Sequence, residues 1–310
     1  MEVKNPFFIL SIFLGVFVLI SCSNQGGSWE LQSSGTTVNL TGGSFVNQQK
    51  GWVVGERGTI LHTSDGGKTW VPQESHTQEN LFCVDFFDDQ TGWAAGEKMT
   101  LLFTNNGGAS WSKMSQGVEN TILDIDFVSP DHGWAVGMFH NIFHFDTSGS
   151  QWSSKSTGSS FFWTSVFFID PSEGWATSMR GDIIHTVDAG ETWMGQIQMV
   201  HTLADLQFVD HKNGWAVGSG GRILATKNGG EHWYLQKSGT SQDLWGVSFV
   251  DEVNGWVVGG KGLILRTLDA GNRWKVQKNG IDEDLWSVSF VDSAHGWAVG
   301  SGGTILRFKK

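Results

Sequence analysis

A Gly-Trp dipeptide recurs seven times at a nearly constant interval, with tryptophans at Trp52, Trp93, Trp134, Trp175, Trp215, Trp256 and Trp297, spaced 41, 41, 41, 40, 41 and 41 residues apart. A period that regular means one supersecondary unit copied seven times. No unit of that size buries its apolar faces alone, so the copies must pack against one another. Residues 81–111, LFCVDFFDDQTGWAAGEKMTLLFTNNGGASW, show what one copy contains. Apolar segments of about five residues alternate with turns rich in Gly, Asn and Asp, the pattern of short antiparallel strands. The 42 glycines are scattered through the copies, which argues against a helical solenoid of similar period. Four strands per copy make a propeller blade, so the expected fold is all-β, a seven-bladed β-propeller with four-stranded blades.

Within a blade the strands are labelled A to D from the central channel outward. A reads Leu-x-x-Val-x-Phe, B is Gly-Trp-Ala-Val-Gly, C is x-Ile-Leu-x-Thr, and D begins at a second tryptophan. Strand C of the last copy, Thr304 to Phe308, ends two residues before the chain does, so that copy lacks a following strand D. Trp29 lies 23 residues before Trp52, the spacing that also separates Trp70 from Trp93 and Trp274 from Trp297. The spacing predicts that Trp29 to Gln32 supplies strand D to the blade built from residues 285–308, closing the ring.

Ahead of the repeats, Phe7 to Ile20 is an apolar run with Ser11 as its only polar member, too short for a membrane span and suited to a signal-peptide core. Leu19-Ile20-Ser21-Cys22 resembles a bacterial lipobox, which implies cleavage before Cys22 and acylation of that cysteine. The expected organisation is a lipoprotein signal peptide over 1–21, a tether over 22–28 and the propeller over 29–310. The expected location is exported and lipid-anchored to the cell envelope. The one other cysteine, Cys83, sits in an apolar strand and reads as a small core residue. A net charge of −11 argues against nucleic acid as a partner.

The C–D turns, such as Thr63-Ser-Asp-Gly-Gly-Lys-Thr-Trp70, Thr186-Val-Asp-Ala-Gly-Glu-Thr-Trp193 and Thr226-Lys-Asn-Gly-Gly-Glu-His-Trp233, resemble the Asp-box, or bacterial neuraminidase repeat. Asp65, Asn106, Asp188, Asn228 and Asp269 occupy the acidic position and are read as structural acceptors for their own turn amides. The third copy, Phe145 to Trp152, has Thr147 there and is degenerate. Together with Asp210-His-Lys-Asn-Gly-Trp-Ala-Val-Gly218 and Asp251-Glu-Val-Asn-Gly-Trp-Val-Val-Gly259, the repeat resembles the photosystem II assembly and stability factor family. The resemblance covers residues 29–310 and implies a seven-bladed propeller that binds a membrane-protein precursor during complex assembly. It implies a protein partner, a membrane-protein segment or an envelope complex.

In a propeller the B–C turns and D–A connections share one face and the Asp-box turns lie on the other. Two residues beyond the last strand-B position the copies place Arg57, Lys98, Phe139, Arg180, Gly220, Lys261 and Gly302, with Arg222 nearby. Phe82, Trp163, Trp245 and Trp286 lie at the start of strand A, near the same face. Arg57, Lys98, Arg180, Arg222, Lys261 and these four aromatics are the expected partner-binding set, suited to an anionic or amphipathic segment. The aligned set His62, His144, His185, Arg266 and Arg307 is read as a surface row, because such positions stand on separate blades and do not converge as metal ligands must.

The Asp-box also raises an enzymatic alternative, a glycan-binding or glycoside-hydrolase propeller. Tyr234, the sole tyrosine, falls in an outer strand, which disfavours a sialidase nucleophile. Asp85 and Asp126, with Asp124 and Asp205 nearby, are the carboxylates such chemistry would use. The expected function is non-catalytic scaffolding, with no cofactor and no metal, and with glycan as the alternative ligand.

Overall fold

The computed structural model describes residues 27–114, 120–146 and 151–310. The signal sequence and Cys22 lie outside the described residues. Seven four-stranded antiparallel sheets form the fold. Blades 1 to 6 each take four consecutive strands. In blade 1 these are Leu40–Phe45, Gly51–Gly55, Ile60–Thr63 and Val71–Gln73. Blade 7 joins Leu285–Asp292, His295–Gly300 and Ile305–Lys309 to Ser28–Gln32. The closing strand runs antiparallel to the last one, with Trp29 opposite Phe308 and Gln32 opposite Ile305. It begins at Ser28, one residue earlier than the tryptophan spacing suggests.

An aromatic relay explains why the copies carry the residues they do. Strand A of each blade presents a phenylalanine: Phe45, Phe86, Phe127, Phe168, Phe208, Phe249 and Phe290. Each lies flat on the strand-B tryptophan of the preceding blade, at centroid separations of 3.4–3.9 Å. The strand-D tryptophan of its own blade meets the same ring edge-on at 5.7–6.1 Å, Trp29 serving blade 7. Stacked and T-shaped contacts are the two arrangements the ring quadrupole favours. The glycine of Gly-Trp makes room for this ring: a Cβ on Gly51, Gly92, Gly133, Gly174, Gly214, Gly255 or Gly296 would come within 2.1–2.5 Å of the phenylalanine of its own blade.

The other face of five strand-B tryptophans is covered from strand C. His62, His144 and His185 stack on Trp52, Trp134 and Trp175 at 4.7–4.8 Å, and Arg266 and Arg307 lie over Trp256 and Trp297 at 4.9 and 5.9 Å. These five residues are therefore packing elements between strands and not the surface row expected from their alignment; His144 and Arg266 are buried. Their cross-strand register with the tryptophans puts them there.

A glutamine clamp, which the repeat pattern did not reveal, ties blade to blade at the rim. Gln32, Gln73, Gln196 and Gln236 each donate through Nε2 to a carbonyl of the next blade's C–D turn and accept through Oε1 from its tryptophan, Trp70, Trp111, Trp233 and Trp274. The legible signal is a glutamine three residues after a strand-D tryptophan. Cys83 is a buried free thiol bonded to the Ala95 carbonyl, with burial raising its pKa.

Candidate partner-binding face

The B–C turns and D–A connections do share a face. The Glu56 amide donates to the Asn39 carbonyl ahead of strand A, and a Cβ on Gly58 would meet the Thr77 carbonyl of the following D–A connection at 2.2 Å. On this face Arg57, Lys98 and Lys261 are exposed and adopt φ of 57°, 51° and 55°. Glycines hold the same position in blades 5 and 7, Gly220 at 68° and Gly302 at 64°. A left-handed backbone disfavours long side chains, so three cations sit where glycine is the less strained residue.

Arg180 is exposed and lies 4.4 Å from the Phe161 ring. Lys98 pairs with Glu79 at 2.8 Å. Arg222 is half-buried and folds back on its own turn, Nη1 donating to the Ser219 carbonyl at 3.2 Å. Phe139 is buried against Phe143. The rim is also less uniformly basic than the aligned cations suggest. Glu56 and Glu97 accept from Asn39 and Asn80, while Asp243 and Asp284 accept the turn amides of Gly220 and Lys261.

Trp245 and Trp286, from the inner strands of blades 6 and 7, are half-buried and stack on each other at 4.2 Å. Trp286 donates through Nε1 to Ser301 Oγ in a B–C turn, which places the pair at this face. Phe82 occupies the equivalent position in blade 2 and is half-buried. Trp163 does not join them. It is 0% exposed and bonds through Nε1 to the His140 carbonyl. Trp163 aligns with Leu40, Leu81 and Leu244, the core-facing residue that opens strand A, and alternation along the strand leaves Thr164 at the position of Phe82.

The channel carboxylates stitch inner strands together. Asp85 and Asp126 accept the amides of Phe127 and Phe168, and Asp124 and Asp205 accept those of Val166 and Val247, each in the next blade. Ser165 Oγ reaches both Asp124 at 2.8 Å and Asp205 at 3.1 Å. One hydroxyl proton serves one of these contacts, so the other is completed by a proton on a carboxyl. Burial pushes Asp124 up to about 8, with the Asp205 charge adding to it, and burial raises Asp85 and Asp205 to about 6. The folded protein thus holds protons that the unfolded chain releases above its ordinary carboxyl pKa. That contribution is fully present below the unfolded value, and stability falls as pH rises from about 4 to about 8. Asp124→Asn keeps an acceptor for the Val166 amide and removes the charge. Thermal melts should show the variant several degrees more stable than the parent at pH 8 and close to it at pH 5; parallel pH profiles would contradict a raised Asp124.

A family model described as photosynthesis system II assembly factor YCF48 matches residues 22–118, 110–199, 194–275 and 235–309. The chain belongs to this family. Among solved structures, a YCF48 bound to D1 peptide is 23% identical with a TM-score of 0.77, covering 91% of this chain and 97% of that one. YCF48 from Cyanidioschyzon merolae is 22% identical with a TM-score of 0.75, covering 91% and 98%. Virginiamycin B lyase from Staphylococcus aureus is 12% identical with a TM-score of 0.78, covering 91% and 100%. At these identities the structures establish a shared fold. No curated protein matches the chain.

In this YCF48-family propeller the opposite face is built from Asp-box turns. Asp65 accepts from the Thr69 amide and hydroxyl, which lower its pKa to about 2, and Asp188 accepts the same pair from Thr192. Asn106, Asn228 and Asp269 accept the amides of Ser110, His232 and Arg273. Thr147 lies outside the described residues. The strand-B tryptophans reach these turns too, Trp52, Trp134 and Trp175 donating to the carbonyls of Gly107, Ala189 and Gly229. Asp-box acceptors are consumed by the turn that holds them.

Proposed function

We propose that this YCF48-family propeller is an exported, lipid-anchored scaffold without catalytic activity of its own, which holds a segment of a membrane protein during assembly of an envelope complex. Cleavage after residue 21 and acylation of Cys22 would place the propeller over 29–310 at a membrane surface, within reach of such a segment. The observation that carries the reading is the retention of Arg57, Lys98 and Lys261 in left-handed turns whose sibling copies use glycine. Cations kept at a conformational cost on the face that also bears the Trp245–Trp286 pair suit a segment with acidic and apolar residues. A relative bound to D1 peptide supports a peptide as the ligand class. A glycan stacking on Trp245 is the alternative occupant. The channel carboxylates disfavour hydrolysis, since each is committed to backbone amides.

Capture with the full chain from detergent-solubilised membranes, followed by mass spectrometry, identifies the partner. The combined Arg57→Glu, Arg180→Glu and Lys261→Glu variant is expected to recover about tenfold less of it, with an unchanged melting temperature because all three side chains are exposed. Undiminished recovery rejects this face.

A further inference from the structure

Glu173 departs from the repeat at the residue preceding Gly-Trp. The other copies carry Lys50, Thr91, His132, Asn213, Asn254 and His295 there, and blade 4 alone carries a carboxylate. Each oxygen of Glu173 meets an imidazole: Oε1 is 3.0 Å from His185 Nε2 and Oε2 is 2.5 Å from His211 Nδ1. His185 comes from strand C of blade 4, and its ring is held against Trp175 at 4.7 Å with planes 16° apart. His211 comes from the A–B turn of blade 5 and is exposed. Asp170 lies in the same turn as Glu173, and ligand atoms of Asp170, Glu173 and His211 all fall within 4.8 Å of one another. The bonds Asp170 accepts from the Ser172 amide and hydroxyl and from the Glu173 amide all fall on Oδ1.

We propose that Asp170, Glu173 and His211 bind one divalent transition-metal ion of the zinc type, bridging blades 4 and 5 on the Asp-box face, with His185 holding the other oxygen of Glu173. An imidazole nitrogen with two carboxylates forms a donor set suited to zinc and its neighbours, whereas calcium and magnesium take oxygen. A carboxylate lying between two imidazoles needs a proton on each facing nitrogen. A metal ion would take the place of the Glu173–His211 hydrogen bond and offset the two carboxylate charges. The surroundings supply what orients such ligands: Trp175 fixes the His185 ring that holds Glu173, and backbone amides fix the Asp170 carboxylate. The repeat pattern hides the group because its members come from the A–B turns of two different copies. The site lies on the face opposite the proposed partner face, so either can fail without the other.

The test uses the full chain purified without a polyhistidine tag and stripped with EDTA. Calorimetric titration with zinc chloride at pH 7.5 is expected to show one saturable site per chain, and saturating zinc to raise the melting temperature by several degrees while calcium does not. His211→Gln, at an exposed position, is expected to weaken zinc binding at least tenfold and remove the thermal shift. Glu173→Gln should do the same, and His132→Gln in blade 3 should leave both readouts unchanged. Absence of stoichiometric zinc, or zinc binding that His211→Gln and Glu173→Gln leave intact, overturns the proposal.

Discussion

Deletion of residues 23–36 is expected to lower the melting temperature by about 10 °C or more, although only one strand is lost. Trp29 is 7% exposed and packs edge-on to Phe290 at 5.7 Å and against Phe308 at 5.3 Å. Removing a buried tryptophan of this kind costs about 3–5 kcal/mol. The deletion also strips the antiparallel partner from Ile305–Lys309 and leaves that strand as an open sheet edge. It removes Gln32, which bonds both Trp70 and the Gly66 carbonyl of blade 1, so the ring loses its tie across the termini as well as a strand. At about 2–4 °C per kcal/mol for a chain approaching this size, the sum is a large shift. A melting curve superimposable on the parent's would mean that the ring does not depend on the closing strand.

Phe208→Ala is expected to destabilise the propeller by about 3–5 kcal/mol, measured by denaturant unfolding. Phe208 is 2% exposed, stacks on Trp175 of blade 4 at 3.7 Å and meets Trp233 edge-on at 5.8 Å. Its loss opens a hole between two blades that stiff indole rings fill poorly. Gly214→Ala should be comparably damaging for the opposite reason, because its Cβ would come within 2.5 Å of the Phe208 ring. The two changes touch the same space, so they should not add. The double variant is expected to recover more than about 1 kcal/mol relative to the sum of the single ones. Additive losses would show that Gly-Trp does not exist to seat the phenylalanine.

These two experiments separate what was readable in the chain from what was not. The relay was half visible: Gly-Trp, Leu-x-x-Val-x-Phe and the second tryptophan all recur in the sequence, and so does the spacing that assigns Trp29 to the last blade. Which tryptophan meets which phenylalanine was not visible, since that contact crosses from one blade to the next. The strand-C row shows the same limit. His62, His144, His185, Arg266 and Arg307 look polar and solvent-facing in sequence, yet each covers an indole ring, because imidazole and guanidinium planes stack on aromatic faces. Burial by a ring has a cost for histidine: desolvation lowers the pKa of His62 and His144.

The candidate site divides in the same way. Copy-to-copy alignment was enough to place Arg57, Lys98, Arg180 and Lys261 on exposed turns of one face, because equivalent positions in a closed ring must share a face. It misjudged Trp163, where one step along a strand exchanges the channel for the core. It also overstated Arg222, whose side chain turns back to a carbonyl.

The sequence by itself determined the number of blades, the strand order, the closing strand and the face on which each turn lies, because a strict period leaves few ways to bury identical amphipathic units. Only the tertiary structure decided which residues meet across blade junctions: the phenylalanine relay, the glutamine clamp, the Ser165 bridge between carboxylates and the meeting of Glu173 with His185 and His211. The physical reason is that periodicity constrains positions every copy shares. Contacts made by a departure from the repeat depend on distances that exist only once the ring has closed.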